Sequence, residues 1–144
     1  MRRILFCLLP LFVLSCHKEA TGYLDKAEAK MSAHPDSSLA LLQQMEPALI
    51  NTRALQARHA LLLTMALDKN YIDVTEDSLA RFAYDYYECR GSKENRMMST
   101  YYLGVVKENA EELIDAAILF KKAEAQAGKL RNNHFLGLSL RIDS

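Results

Sequence analysis

Apolar positions recur along most of this chain at intervals of three and four residues, the spacing that turns one face of a helix toward a neighbour. Leu24, Ala27 and Met31 begin the pattern and predict a helix over residues 23–33, capped by Thr21 or Gly22. It stops ahead of His34-Pro35, because the residue before a proline is pushed out of the α region. Asp36 is the expected N-cap of the next helix, whose stripe is Leu39, Leu42 and Met45 and which Pro47 ends or kinks. Asn51 or Thr52 then opens a longer helix as far as Lys69. Leu55, Leu62, Met65 and Ala66 share one face of it, and Leu61, Leu63 and Leu67 widen that face until it needs neighbours on two sides.

Residues 70–75 read as a turn, with Ile72 and Val74 folding back over the helix ends. Thr75 is expected to cap a fourth helix, with Glu76 and Asp77 in its first turn, where the helix dipole favours them. Leu79, Phe82, Ala83 and Tyr86 face inward, and Gly91 ends the helix in the left-handed conformation. Tyr84, Tyr86 and Tyr87 are read as filling between helix pairs in preference to a ligand-binding wall. Ser92 or Lys93 opens a fifth helix to about residue 108, and residues 111–127 form its partner. Gly128 is expected to close that partner. A further helix starts from Lys129, with Phe135, Leu138 and Ile142 apolar.

The stretch MMSTYYLGVVKENAEELIDAAILFKKAEAQAGKL, residues 97–130, carries small residues at fixed points, Gly104, Ala116 and Ala123, with Phe120 one turn after Ala116. It resembles one tetratricopeptide unit, a helix–turn–helix of about 34 residues that stacks on copies of itself. Leu103, Gly104, Ala116, Phe120 and Ala123 fall in the family's order, while Thr100 stands for the usual tryptophan and Lys107 for the usual tyrosine. Leu63, Thr64, Ala80, Tyr84 and Tyr87 form a second copy with a longer turn, and Leu136 and Gly137 restart the pattern. The phrases AEAKMSAHPDSSLALLQQM and ALLLTMALDKNYIDVTEDSLARFAYDYY also resemble stretches of bacterial tetratricopeptide-repeat (TPR) lipoproteins. The resemblance implies an all-α fold, antiparallel helix pairs stacked as a short TPR-like right-handed solenoid, over residues 23–144. It implies about three repeats, the last incomplete. Longer relatives of this type continue into further repeats, a membrane-spanning helix and a coiled coil, so a truncated member is favoured over a capping final helix.

The first residues read differently. Arg2 and Arg3 precede an apolar run over residues 4–14, interrupted by Pro10 and too short for the roughly 20 residues that span a bilayer. This is the layout of a secretory signal, and Val13-Leu14-Ser15-Cys16 resembles a bacterial lipobox. Residues 1–15 are therefore expected to be a signal peptide, Cys16 the acylated (palmitate-bearing) N-terminus, and residues 16–22 a polar tether reaching about 20 Å. Two or three acyl chains anchor stably, one only marginally. The expected location is the cell envelope, anchored to the outer membrane in preference to the inner, periplasmic or surface-facing.

Charge and chemistry narrow the class. The chain balances 18 basic against 18 acidic residues, which excludes the basic field of a nucleic-acid binder. With Cys7 lost and Cys16 acylated, Cys89 alone remains, and it forms no internal disulfide. His17, His34, His59 and His134 lack a second ligand at metal spacing, so no metal is expected. No phosphate loop or nucleophile elbow occurs, so neither an enzyme nor a cofactor is expected. The resemblance implies a membrane-anchored scaffold or adaptor that binds a protein or peptide partner through its concave groove. Its register places Leu61, Met65, Asp68, Lys69, Tyr101, Val105, Glu108, Asn109, His134 and Arg141 toward that groove. The alternative is a truncated sensory or regulatory input region of a TPR-containing membrane signalling protein.

Overall fold

The computed structural model describes the backbone of residues 9–130 and the side chains of residues 18–130. His134, Arg141, the expected last helix, the expected signal peptide through residue 8 and the Cys16 side chain lie outside these described residues. Within them the chain is all-α: α1 (Leu9–Lys30), α2 (Pro35–Gln43), α3 (Arg53–Lys69), α4 (Ser78–Cys89), α5 (Lys93–Asn109) and α6 (Leu113–Leu130). The helices form a bundle in which each packs on the next, and α1, α3 and α5 also touch in succession.

α3 owes its central place to its breadth of apolar surface. Leu55, Leu62 and Ala66 pack with Leu24, Met31 and Leu42 on one side. Ala57, Ala60 and Leu61 face Ala83, Tyr87, Met97, Tyr101 and Phe120 on the other, and Met65 touches both groups. Fully burying a leucine contributes about 1.5–3 kcal/mol, so a helix buried on two sides needs the double stripe the sequence supplies. The alanines matter equally, since Ala57 and Ala66 are completely buried and leave room for close helix approach.

The helix starts fall partly as expected. Thr52 and Ser92 are N-caps whose side-chain oxygens accept from the backbone N–H groups of Leu55 and Asn95, at 3.2 and 3.0 Å. Each such cap contributes about 1 kcal/mol. Asp36 is not a cap. Pro35 occupies the start of α2 behind His34, so Asp36 lies in the first turn. Its locked φ and missing N–H suit proline to that position. Nor does Thr75 cap α4. Asp77 holds the cap position without a capping bond, and the Glu76 carboxylate accepts from the Ser78 N–H at 3.0 Å.

Two helices are longer than their sequence predicts. α1 begins well before residue 23 and runs through 16–22, the segment expected as a tether. Ala20 continues the face of Leu24, Ala27 and Met31 and is fully buried with them. Gly22 does not interrupt this helix. Gly128 likewise lies inside α6, which continues to Leu130 and absorbs Lys129. Ala123 and Ala127 are both fully buried, so the packed face carries the helix past the glycine. Gly91 does end α4 with a φ of +78°.

Gly104 explains the closeness of α5 and α6. A β-carbon there would stand 2.9 Å from Cε1 of Phe120 and 3.4 Å from Cβ of Leu119. Phe120 therefore fills the space over Gly104 within its own helix pair.

Candidate functional site

α3 and α5 are built alike. Each is 17 residues long, each starts at a hydroxyl cap, and each ends in a residue of positive φ, Tyr71 at 59° and Glu111 at 61°. Tyr71 and Glu111 donate their N–H to Asp68 and Glu108 carbonyls, and Ile72 and Glu112 bond back to Leu67 and Lys107. These are the backbone bonds that satisfy the last carbonyls of a helix. The pairs diverge in their connections, the turn before α4 being several residues longer than the one before α6.

The C-terminal ends of α3 and α5, with the α1–α2 turn, surround a recess of about 700 Å³. Six of the ten expected groove residues line it: Asp68, Lys69, Tyr101, Val105, Glu108 and Asn109. Leu61 and Met65 do not. Leu61 is only 4% exposed within the central core, and Met65 packs between the two large clusters. Sequence reasoning missed Met31, Ser32 and Pro35 from the α1–α2 turn, Tyr71 and Asp73 from the long turn, and Tyr102 and Phe120 from the floor. The length of the second turn was the one signal that pointed to some of them.

The floor is aromatic. Tyr101 stacks edge-on against Tyr102, centroids 5.1 Å apart, and tilts against Phe120 at 5.4 Å. Burial drives the Tyr102 phenol well above its usual pKa, and the nearby Asp68 charge pushes in the same direction. The rim is polar. Asp68, Asp73 and Glu108 stand against Lys69, so carboxylates outnumber ammonium groups around the opening.

Long-range hydrogen bonds hold the turns that make the walls. Asn70 Nδ2 donates to the Pro35 carbonyl at 2.9 Å and ties the α1–α2 turn to the end of α3. Asn109 Nδ2 donates to the Val74 carbonyl at 3.3 Å and ties the long turn to the end of α5. Beside it, Lys107 Nζ lies 2.8 Å from both Asp77 and Glu112. Its hydrogen bonds to Asp77 and then Glu112 raise the Lys107 pKa. The same bond to Lys107 is the largest influence holding the Asp77 carboxyl below its ordinary value.

The remaining polar residues serve packing. His59 Nε2 lies 2.9 Å from the Leu42 carbonyl at the end of α2, and Ser38 Oγ donates to the Ala27 carbonyl at 2.8 Å. Arg58 bridges Asp25 and Glu28 on α1, and Lys122 joins Glu88 and Tyr84. Cys89 is exposed at the end of α4. Among the described residues no group of His, Cys, Asp and Glu could hold a metal ion, and no helix is long and apolar enough to cross a membrane. No protein-family model, curated protein or solved structure matches this chain.

Proposed function

We propose that this protein is a TPR-like scaffold of the bacterial cell envelope, anchored through Cys16, that holds a protein or peptide partner in the recess between α3 and α5. One observation carries the reading: side chains chosen by repeat register alone, Asp68, Lys69, Tyr101, Val105, Glu108 and Asn109, converge on one recess. A volume of that size lies within the roughly 300–1,000 Å³ of ligand sites, so it suits a short extended segment and not a folded domain. The like construction of α3 and α5 supports stacked helix pairs, with the α1–α2 pair as a shorter first unit. The lipobox-like Val13-Leu14-Ser15-Cys16 supports the anchor, and together the two readings place the recess near a membrane surface.

The test is site-specific photocrosslinking in intact membranes, with benzoylphenylalanine replacing Glu108 at the recess or Ile114 on the outer face of α6. A discrete adduct from position 108 and none from 114 is expected. Equal labelling from both positions, or none from 108, overturns the recess as the binding surface. Palmitate labelling that persists in Cys16→Ala refutes the anchor separately.

A further inference from the structure

The bundle has two unlike ends. Short turns reverse the chain after α1, α4 and α5. Asn70 bonds the end of α3 to Pro35 at the start of α2, and Asn109 bonds the end of α5 to Val74 before α4. The ends of α1, α3 and α5 therefore gather at the recess. Their starts gather at the opposite end, beside the ends of α4 and α6, where Arg96 Nε donates to the Tyr87 carbonyl at 3.1 Å. Cys16 belongs to that second end. α1 is already helical there and rises about 21 Å between Cys16 and Lys30, at ~1.5 Å per residue. A helical strut thus separates the expected acylation point from the recess.

Charge divides the same way. Lys18, Arg53, Arg90, Lys93 and Lys129 are exposed at the Cys16 end, against Glu19, Glu46 and Glu94. At the recess end Asp36, Asp73, Glu76, Glu108, Glu111 and Asp115 are exposed, against Lys30 and Lys69. An anionic lipid surface attracts the first end and repels the second.

The basic end also holds a cleft of about 370 Å³, lined by Lys93, Arg96, Gln126, Lys129 and Leu130 with Glu88, whose carboxylate Lys122 matches. Among the described residues Gln126 Oε1 is a buried side-chain oxygen without a hydrogen-bond partner. Such an acceptor calls for a donor. A phosphate would meet the lysines and Arg96, and a hydroxyl on the same molecule would donate to Gln126. A phosphatidylglycerol headgroup carries both.

We propose that the Cys16 end docks on anionic lipid, seating a glycerol phosphate headgroup between Lys93, Arg96, Lys129 and Gln126, so that α1 holds the partner recess facing away from the membrane. The proposal rests on the anchor at Cys16, and it adds the lipid chemistry and the orientation of the bundle.

The experiment uses the full chain, acylated in cells and reconstituted into vesicles of phosphatidylcholine alone or mixed with phosphatidylglycerol. Both contain a lipid with a spin-labelled headgroup as quencher. A nitrobenzoxadiazole label is attached to the native Cys89 at the Cys16 end, or to Ile114→Cys in a Cys89→Ser background at the recess end. On phosphatidylglycerol, quenching at position 89 should exceed that at 114 at least about threefold, since the 17 residues of α3 separate the two ends by about 25 Å. Lys93→Gln with Lys129→Gln should bring that ratio down to its value on phosphatidylcholine. Gln126→Met removes the buried acceptor, so it should keep or raise the melting temperature while lowering the ratio. Equal quenching at the two positions, or stronger quenching at 114, overturns the orientation and lays the exposed Leu113, Ile114 and Ile118 face of α6 on the lipid. A ratio that is the same on both vesicle types and in every variant overturns the headgroup seat. If the chain enters neither vesicle, the anchor falls and the proposal with it; if it enters both and position 114 is quenched the more, the anchor stands and the proposal alone falls.

Discussion

Helix propensity alone ranks Gly104→Ala and Gly128→Ala as equivalent, each stabilising by up to about 1 kcal/mol in a helix interior. The structure separates them. Among the described residues nothing lies within 4 Å of a β-carbon at Gly128, so that substitution should deliver the propensity gain. At Gly104 the new carbon would lie 2.9 and 3.0 Å from two ring carbons of Phe120. Carbon pairs settle at about 3.5–4.0 Å, so the ring has to retreat by roughly half an ångström or more. Phe120 is only 4% exposed and leans on Tyr101, which leaves it little room. Overpacking of that kind costs about 1–3 kcal/mol, and the propensity gain offsets part of it. The expected net loss for Gly104→Ala is about 0.5–2 kcal/mol, or a few degrees of melting temperature in a domain of this size. Urea titration followed by circular dichroism measures both variants. Phe120→Leu in the Gly104→Ala background should recover part of the loss, giving a coupling of about 0.5 kcal/mol or more. If Gly104→Ala is as stabilising as Gly128→Ala, or shows no coupling to Phe120, the close approach of α5 and α6 at Gly104 is wrong.

Other consequences can be checked in the same assay. Gly91→Ala should destabilise by at least about 1 kcal/mol, because the left-handed φ and a Tyr87 ring carbon at 2.7 Å both oppose a β-carbon. Thr52→Ala and Ser92→Ala should each cost about 0.5–2 kcal/mol and add without coupling, since they cap separate helices. Acid should also weaken the fold. Hydrogen bonds from Lys107 and Lys122 depress the folded-state pKa of Asp77 and Glu88 respectively. Their stabilisation is present above the unfolded values of about 4 and is lost as pH falls through the lower folded values. Urea midpoints measured from neutral pH downward should decline less steeply in Asp77→Asn than in the parent; parallel curves would refute the pairing.

Helix placement was legible because period and capping are local. Leu24, Ala27 and Met31, or Leu55, Leu62 and Ala66, announce their faces within a few turns. The two helices that run past their expected ends share one cause, which is tertiary packing overriding a local signal. Ala20 and Ala127 are ordinary small residues in the sequence, and only the neighbours that bury them carry α1 back through residue 20 and α6 past Gly128. Asp36 yields the start of α2 to Pro35 by a rule that was available. Asp77, at the start of α4, forms no cap, and its carboxylate instead meets Lys107 on another helix. The recess divides in the same way. Asp68, Lys69, Tyr101, Val105, Glu108 and Asn109 sit on helices and follow from register. Pro35, Tyr71 and Asp73 sit on turns, and the paths of those turns depend on Asn70 and Asn109 bonding to carbonyls 35 positions away.

Lys107 and the long turn after Lys69 form one feature. The turn after Lys69 is several residues longer than the one after Asn109. An aromatic at position 107 would fill space between helices but offer the extra turn no charge. Lysine there, 9% exposed in the last turn of α5, reaches Asp77 at the end of the long turn and Glu112 in the short one. Two carboxylates around one ammonium leave it fully matched, and the last turn of a helix is where a cation is favoured. With nearby Asn109 bonding Val74, the extra residues are fixed at both their middle and their end. Tyr71 takes its left-handed conformation from the bonds that end α3, as Glu111 does at the end of α5. Lys107 and the long turn therefore belong together: the ammonium holds Asp77 at the end of the turn while Asn109 holds Val74 in its middle.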